Sequence, residues 1–134
     1  HSFDPHAGEI QFYVALAWFQ AGKHEHAISF FEKAANKELT ASFLFAYLAQ
    51  AHKAVANSEL AEWLFREVVA LSPDRDFYWY ELGNLLLDNR QYYQAALCFQ
   101  RLVRRDDEKP VYFFKLGMAH KWLGRWAQAA NNFE

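Results

Sequence analysis

Small residues recur along this chain at a constant spacing of 34 positions. The first register of small residues holds Ala15, Ala49, Gly83 and Gly117. The second holds Ala27, Ala61, Ala95 and Ala129, and a third, aromatic register holds Phe31, Phe65, Phe99 and Phe133. The same type of residue thus recurs at equivalent positions of several units, which indicates a repeat protein. In such a protein one unit cannot bury its apolar face alone and therefore stacks on the next.

Each unit divides into two helical patterns joined by a short polar or glycine-containing turn. The predicted turns are Ala21-Gly22-Lys23, Ala56-Asn57, Asn89-Arg90 and Gly124-Arg125. The predicted helices span residues 5–21, 24–37, 41–55, 58–71, 75–88, 91–105, 110–123 and 126–134. Asp4-Pro5, Thr40 and Ser58 suit helix N-termini, and Pro73 and Pro110 each suit the opening of a unit. We expect the small residues to let paired helices approach closely and the recurrent Phe to fill the space between units.

These residues resemble the motif of the tetratricopeptide repeat (TPR) family, in which aromatic residues accompany Leu-Gly, Ala and Phe. The third unit carries this motif as Trp79, Leu82, Gly83, Tyr92, Ala95 and Phe99. The resemblance covers about residues 8–134 and implies an all-α fold, an α-solenoid of antiparallel helix pairs wound into a right-handed superhelix. It implies one domain over residues 1–134, with repeats at about 8–41, 42–75 and 76–109 and a truncated fourth at 110–134. We expect the chain to be a fragment of a longer protein.

Composition argues against several other classes of protein. With 14 basic and 16 acidic residues, the chain offers no electrostatic reason to bind nucleic acid. Its apolar stretches are too short for a membrane span. The aromatic fraction of 19% excludes disorder and exceeds what a core needs, so some rings must reach a surface. The single cysteine mildly favours a reducing compartment, such as the cytoplasm.

The sequence contains no pattern that predicts catalysis, a metal site or a cofactor. His24 and His26 are two positions apart and would point to different faces of a helix. His52 and His120 share one register, which predicts packing or hydrogen-bonding roles on the packed side of a first helix. Cys98 lies on an apolar helix without a predicted base, which favours a small buried hydrophobic residue over a nucleophile. We therefore expect a protein that is not an enzyme.

In the TPR family, the first helices of successive pairs line a concave face that holds the ligand. On this chain, the resemblance places the following residues in such a groove: Phe12, Phe19, Tyr47, Gln50, Tyr80, Asn84, Phe114, Met118 and Trp122. Asn84 is suited to hydrogen-bonding an extended peptide backbone. For Phe43, Phe77 and Val111, packing between neighbouring first helices is an equal alternative.

Chaperone-adaptor members of the family grip a C-terminal carboxylate with a clamp of Lys, Asn and Arg side chains. Over the first three units, the clamp positions hold Phe12, Leu16, Tyr47, Phe77 and Glu81. Over the last three units, they hold Ala46, Gln50, Glu81, Val111 and Lys115. Neither set supplies the charges, so the sequence predicts no binding of Hsp70 or Hsp90 tails.

The most direct interpretation is a protein-interaction scaffold that binds a peptide or partner protein through an aromatic-rich concave groove. An alternative is an accessory module of a larger enzyme, for example a transferase acting on polysaccharide. The resemblance allows both. Self-association is a further expectation, because the face formed by Trp126, Ala130 and Phe133 has no following unit to cover it.

Overall fold

The computed structural model describes residues 6–37 and 41–132, with side chains as far as Arg125. Within these residues there are seven α-helices and no β-strand. The helices are α1 (Ala7–Gln20), α2 (His24–Asn36), α3 (Ser42–Ala54), α4 (Ser58–Leu71), α5 (Asp76–Asp88), α6 (Tyr92–Arg105) and α7 (Pro110–Asn132). The expected helix starts at Asp4-Pro5 and Thr40 lie outside the described residues.

The chain divides into two compact units, His1–Ser72 and Pro73–Glu134. In the first unit, α1 packs against α2, α2 against α3, and α3 against α4. In the second unit, α6 packs against both α5 and α7. Consecutive helices joined by such short turns are antiparallel neighbours. The helix pairs expected from the repeat are therefore present as α1–α2, α3–α4 and α5–α6.

The recurrent small and aromatic residues form the core of these pairs, as expected. Ala15, Ala27, Ala49, Ala61 and Ala95 are fully buried. Phe31, Phe65 and Phe99 are among the largest fully buried side chains in the described residues. Gly83 shows the close approach directly, because a β-carbon there would lie 2.8 Å from Cζ of Phe99. The ring of Phe99 thus fills the space that any larger residue at position 83 would need.

Three of the four predicted turns are confirmed, and they share one geometry. Gly22, Ala56 and Arg90 have left-handed backbone angles, with φ of 82°, 65° and 63°. In each turn, the following residue donates its backbone N–H to a carbonyl five positions earlier, at 2.8–2.9 Å. This hydrogen bond satisfies a carbonyl that the end of the helix would otherwise leave unpaired. Ser58, expected to cap α4, is instead its first residue, preceded by Asn57.

The fourth predicted turn is wrong. α7 begins at Pro110, as expected, but continues through Gly124 and Arg125 to Asn132. A glycine inside a helix costs only about 1 kcal/mol relative to alanine, so Gly124 alone does not end the helix. Gly117 does not receive a second helix either, because a β-carbon there would have no atom of the described residues within 4 Å. The side chains of Ala129 and Phe133 lie outside the described part of the chain.

Candidate functional site

One face of each first helix is accessible to solvent. The accessible positions are spaced four, three and four residues apart, and this spacing places them on a single side of an α-helix. We call this face the first-helix stripe. It comprises Glu9, Tyr13, Leu16 and Gln20 on α1; Phe43, Tyr47, Gln50 and Ala54 on α3; Phe77, Glu81, Asn84 and Asp88 on α5; and Val111, Lys115, Met118 and Trp122 on α7. Every one of these side chains is exposed or half-buried.

A cluster of aromatic rings supports the stripe in the first unit. Phe12, a predicted groove residue, is only 6% exposed and lies beneath the stripe. Its ring centroid lies 5.0 Å from that of Phe43 and 5.8 Å from that of Tyr47, so it joins α1 to α3. Tyr47 stacks on the buried ring of Phe31 at 6.0 Å and contacts Phe19 edge-on at 5.6 Å. The buried rings therefore fix the orientation of those that face solvent.

Tyr13 has the most exposed Phe, Tyr or Trp ring among the described residues of the first unit. It is 66% exposed, and its ring lies 5.5 Å from that of Phe12. Its register also predicts a place in the groove, because Tyr13 precedes Tyr47 by one full repeat. Phe43 combines both alternatives, because its ring contacts Phe12 of the neighbouring first helix and is still 43% exposed. Gln50 is half-buried on the same stripe.

The second unit repeats this arrangement with different residues. Tyr80 is half-buried, and its ring contacts those of Phe99 at 6.1 Å and Tyr112 at 5.8 Å. Phe77 is 58% exposed and Phe114 is 65% exposed. Val111 is also exposed, and Met118 is half-buried on α7. Tyr112, which links α5 to α7 from below, is a buried residue that the sequence analysis did not single out.

Asn84 carries unused hydrogen-bonding capacity. Its side-chain oxygen is buried and accepts no hydrogen bond from any of the described residues. A buried acceptor without a donor costs about 1–3 kcal/mol. Asn84 is therefore the amide of the stripe whose buried side-chain oxygen has no hydrogen-bond donor among the described residues.

Trp122 marks the end of the stripe on α7. Its ring is 40% exposed and stacks on Tyr92 of α6, with centroids 6.2 Å apart and planes inclined by 20°. The guanidinium of Arg125 lies 4.9 Å from the centroid of Trp122, on the same helix. Cation–π contacts of this kind hold an exposed indole in place.

The two histidines that share a register differ in their surroundings. His52 is 7% exposed, in agreement with a packing role, whereas His120 is exposed, so the expectation of a packed position is wrong for it. Among the described residues, no second helix folds back over the face of α7 that carries His120. Burial lowers the pKa of His52 below its usual value of 6.5, while the nearby Glu32 carboxylate opposes that shift.

Acidification is expected to destabilise the protein through His52. Because the pKa of His52 is lower in the folded than in the unfolded state, the unfolded state binds the proton more readily. This stability is fully present above pH 6.5 and is lost as the pH falls below that value. Thermal unfolding at pH 7.5 and 5.5 should show a smaller loss of Tm in His52→Gln than in the parent protein. His120→Gln is the matched control and should leave the loss unchanged; an equal effect of both variants would contradict the assignment.

Two further findings concern the described residues only. No group of three or more His, Cys, Asp or Glu side chains among them could hold a metal ion. None of their helices combines the length and apolarity needed to cross a bilayer. Cys98 is buried, as expected.

The repeat registers and the helix pairs agree with the comparison with known families. The family model described as "Tetratricopeptide repeat" matches residues 1–42 and 80–134. The chain belongs to the tetratricopeptide repeat family. No curated protein matches its sequence.

Solved structures of similar fold include two peptide complexes. The second TPR domain of human RPAP3, in complex with the HSP70 peptide SGPTIEEVD, has a TM-score of 0.75 and 18% identity, covering 87% of this chain and 98% of that one. The first TPR of Spaghetti (RPAP3), bound to the HSP90 peptide SRMEEVD, has a TM-score of 0.79 and 16% identity, covering 90% and 96%. MamA from Desulfovibrio magneticus RS-1 has a TM-score of 0.81 and 18% identity, covering 90% and 68%. At these identities the likeness concerns the fold.

Proposed function

We propose that this chain is a non-catalytic protein-interaction scaffold that binds a peptide or a partner protein through the aromatic-rich groove of its first helices. The observation that carries the proposal is the set of exposed rings on the first-helix stripe, among them Tyr13, Phe43 and Phe77. Aromatic side chains supply large contact areas and are enriched at protein interfaces. Membership of the TPR family and the peptide complexes of two similar structures support the same class of function.

The rings of the first unit are well suited to binding because their positions are already fixed. Tyr47 is held by Phe12, Phe19 and Phe31, so little side-chain freedom remains to be lost when a ligand arrives. Binding that requires little ordering of the protein retains more of its contact energy. An apolar or aromatic segment, extended or helical, fits such a surface.

Asn84 gives the proposed groove a polar contact in the second unit. Its amide oxygen has no donor among the described residues, so a ligand backbone N–H that reached it after a small rotation of the side chain would remove the cost of burial. Tyr80, one helical turn earlier, presents a half-buried ring beside it. The pair would thus bind both the backbone and an apolar side chain of an extended peptide.

The non-catalytic part of the proposal rests on the chemistry of the stripe. Its side chains are rings, amides, apolar groups and a few charged groups. Covalent catalysis needs a nucleophile within hydrogen-bonding reach of a base, and general acid–base catalysis needs a positioned titratable group. The described part of the stripe presents contact surface instead.

Selection from a displayed library of short random peptides tests the proposed function. We expect enriched peptides to contain aromatic or large apolar residues, and Tyr13→Ser and Phe77→Ser to weaken their binding at least about tenfold. Trp63→Ser on α4 and Leu97→Ser on α6 are matched controls, because both side chains are exposed on second helices. Equal losses in the controls would contradict binding at the stripe. Ring-dependent binding on a glycan array without any peptide binding would instead favour an accessory module of a polysaccharide-acting enzyme.

A further inference from the structure

The negative charge of α5 is concentrated on the first-helix stripe. This helix contains the carboxylates of Asp76, Glu81 and Asp88, and it contains no Lys or Arg. Asp76, at its start, is paired with Arg105 of α6, whose Nε lies 2.6 Å from Oδ1 of Asp76. Glu81 and Asp88 both lie on the stripe. The face of α5 that is proposed to bind a ligand is therefore acidic.

Glu81 has no partner for its carboxylate within the described part of the chain. Its side chain is half-buried and forms no hydrogen bond or ion pair with any described residue. Lys115 occupies the equivalent position one repeat later, on α7, and it does not pair with Glu81 either. A partly buried carboxylate has lost some of its hydration, and neither a cation nor a donor replaces that loss here. A cationic group of a ligand would replace it.

Asn84 places a second acceptor beside Glu81. The two residues are three positions apart on α5, so their β-carbons are about 5–6 Å from each other on one side of the helix. The side-chain oxygen of Asn84 is buried and has no donor among the described residues. Two neighbouring acceptors that both lack donors favour a ligand that is rich in N–H groups. The guanidinium of arginine has five N–H donors and the ammonium of lysine has three, and neither group is an acceptor.

Phe77 adds an apolar contact on the other side of Glu81. It lies four positions earlier on the same stripe, and its ring is 58% exposed. The aliphatic part of a lysine or arginine side chain packs on such a ring, and its charged end is attracted to the ring face. A bound metal ion does not fit these groups, because no cluster of three or more His, Cys, Asp or Glu exists among the described residues.

We propose that the ligand of the stripe carries a basic side chain, arginine in preference to lysine, and that Glu81 binds it. This inference rests on the proposed function and specifies the charge of the peptide at α5. Arginine is preferred because its planar guanidinium matches a carboxylate with two parallel hydrogen bonds. Asn84 accepts a further N–H, either from the same side chain or from the adjacent backbone, and Phe77 contacts the aliphatic stem. The carboxylate of Glu81 also repels acidic segments, which adds selectivity.

Parallel selections from one library of short random peptides test the assignment. On the parent protein, we expect enrichment of peptides that combine aromatic or apolar residues with arginine or lysine. On Glu81→Gln, which removes the charge and keeps the shape, the aromatic residues should remain enriched and the basic residues should return to their frequency in the library. Glu67→Gln is the matched control, because it removes the same charge from an exposed position on α4 and should keep the basic residues enriched.

Affinities of one selected peptide and its neutral counterpart measure the contact itself. Citrulline replaces arginine, or acetyl-lysine replaces lysine, so that the charge is lost and the length is kept. We expect the neutral peptide to bind the parent protein at least about tenfold more weakly, and to bind Glu81→Gln with nearly the same affinity as the charged peptide does. The comparison of the two peptides on the parent protein requires no variant, so it does not depend on how well Glu81→Gln folds.

The outcomes distinguish this inference from the proposed function. Selected peptides that bind the stripe without basic residues would overturn the role of Glu81 and leave the proposed function in place. An enrichment of basic residues that is unchanged in Glu81→Gln would do the same, because another group would then bind them. A selection that enriches no peptide on the parent protein would overturn both. Circular dichroism should show equal helix content in Glu81→Gln and in the parent protein.

Discussion

Phe99→Ala is expected to lower the free energy of unfolding by about 3–5 kcal/mol, the range typical of removing a buried phenylalanine ring. Phe99 is fully buried, contacts the ring of Tyr80 and lies directly over Gly83. The helices cannot collapse fully around the lost volume, because the buried Leu86 and Leu102 already pack in their own positions. Chemical denaturation measures the change. Trp63→Ala, at an exposed position on α4, should cost far less and serves as the comparison.

The two register-equivalent glycines provide a matched test of the same contact. Gly83→Ala should destabilise the protein, because the new β-carbon would lie 2.8 Å from the Phe99 ring and force it to move. Gly117→Ala should stabilise it by about 0.5–1 kcal/mol, because alanine favours the helix and meets no neighbour among the described residues. Adding Phe99→Leu should recover part of the loss caused by Gly83→Ala. Effects of the same sign at both glycines would contradict the packing described for Phe99.

A peptide ending in Glu-Glu-Val-Asp is expected not to bind at micromolar concentrations. Recognition of such a tail requires cationic and amide groups around its carboxylates. At the corresponding registers this chain has mainly apolar side chains, such as the buried Phe12 and Ala46, together with the carboxylate of Glu81 and a single cation, Lys115. Loss of hydrogen-bonded charge contacts costs about 2–5 kcal/mol each, so binding should be weaker by at least about a hundredfold than in a protein that has them.

Fluorescence anisotropy with a labelled SGPTIEEVD peptide measures this difference. The second TPR domain of human RPAP3, whose structure contains that peptide, is the positive control. A peptide with an amidated C-terminus shows whether any residual binding depends on the terminal carboxylate. Carboxylate-dependent micromolar binding by this chain would contradict the prediction and would point to Lys115, the one cation at these register positions, or to cations elsewhere.

The helix pairs could be predicted from sequence because turn-forming residues occur at the same places where packing of the second helix on the first requires a turn. At Gly22, Ala56 and Arg90, a polar or small residue interrupts the helical pattern where the packed registers also require a turn. At Gly124 a turn-forming residue is present but the packing is not, because no second helix packs over Gly117 within the described residues. A glycine then permits a turn without imposing one, and α7 continues. The sequence pattern alone does not distinguish a permitted turn from one that packing enforces.

The candidate site could be predicted only in part, because the repeat position of a residue fixes its place on a helix but not how far its side chain is buried. Phe12 and Phe114 share a register, yet Phe12 is buried under Phe43 and Tyr47, whereas Phe114 is 65% exposed. The difference arises from neighbouring helices, which cover α1 but not the equivalent part of α7. Whether the side chain of Asn84 has a hydrogen-bond partner likewise depends on the residues packed around it, and no sequence pattern predicts that.

The left-handed residues at two of the turns have a consequence for the order of folding. Ala56 and Arg90 carry side chains where glycine would be at ease, and each such conformation costs about 1–2 kcal/mol. Local preference therefore works against closing these turns, and the energy that closes them must come from the contact between α3 and α4 or between α5 and α6. These turns therefore form only when the two helices that they join pack together. In an isolated helix pair with few packing contacts, the two helices would be separated for much of the time.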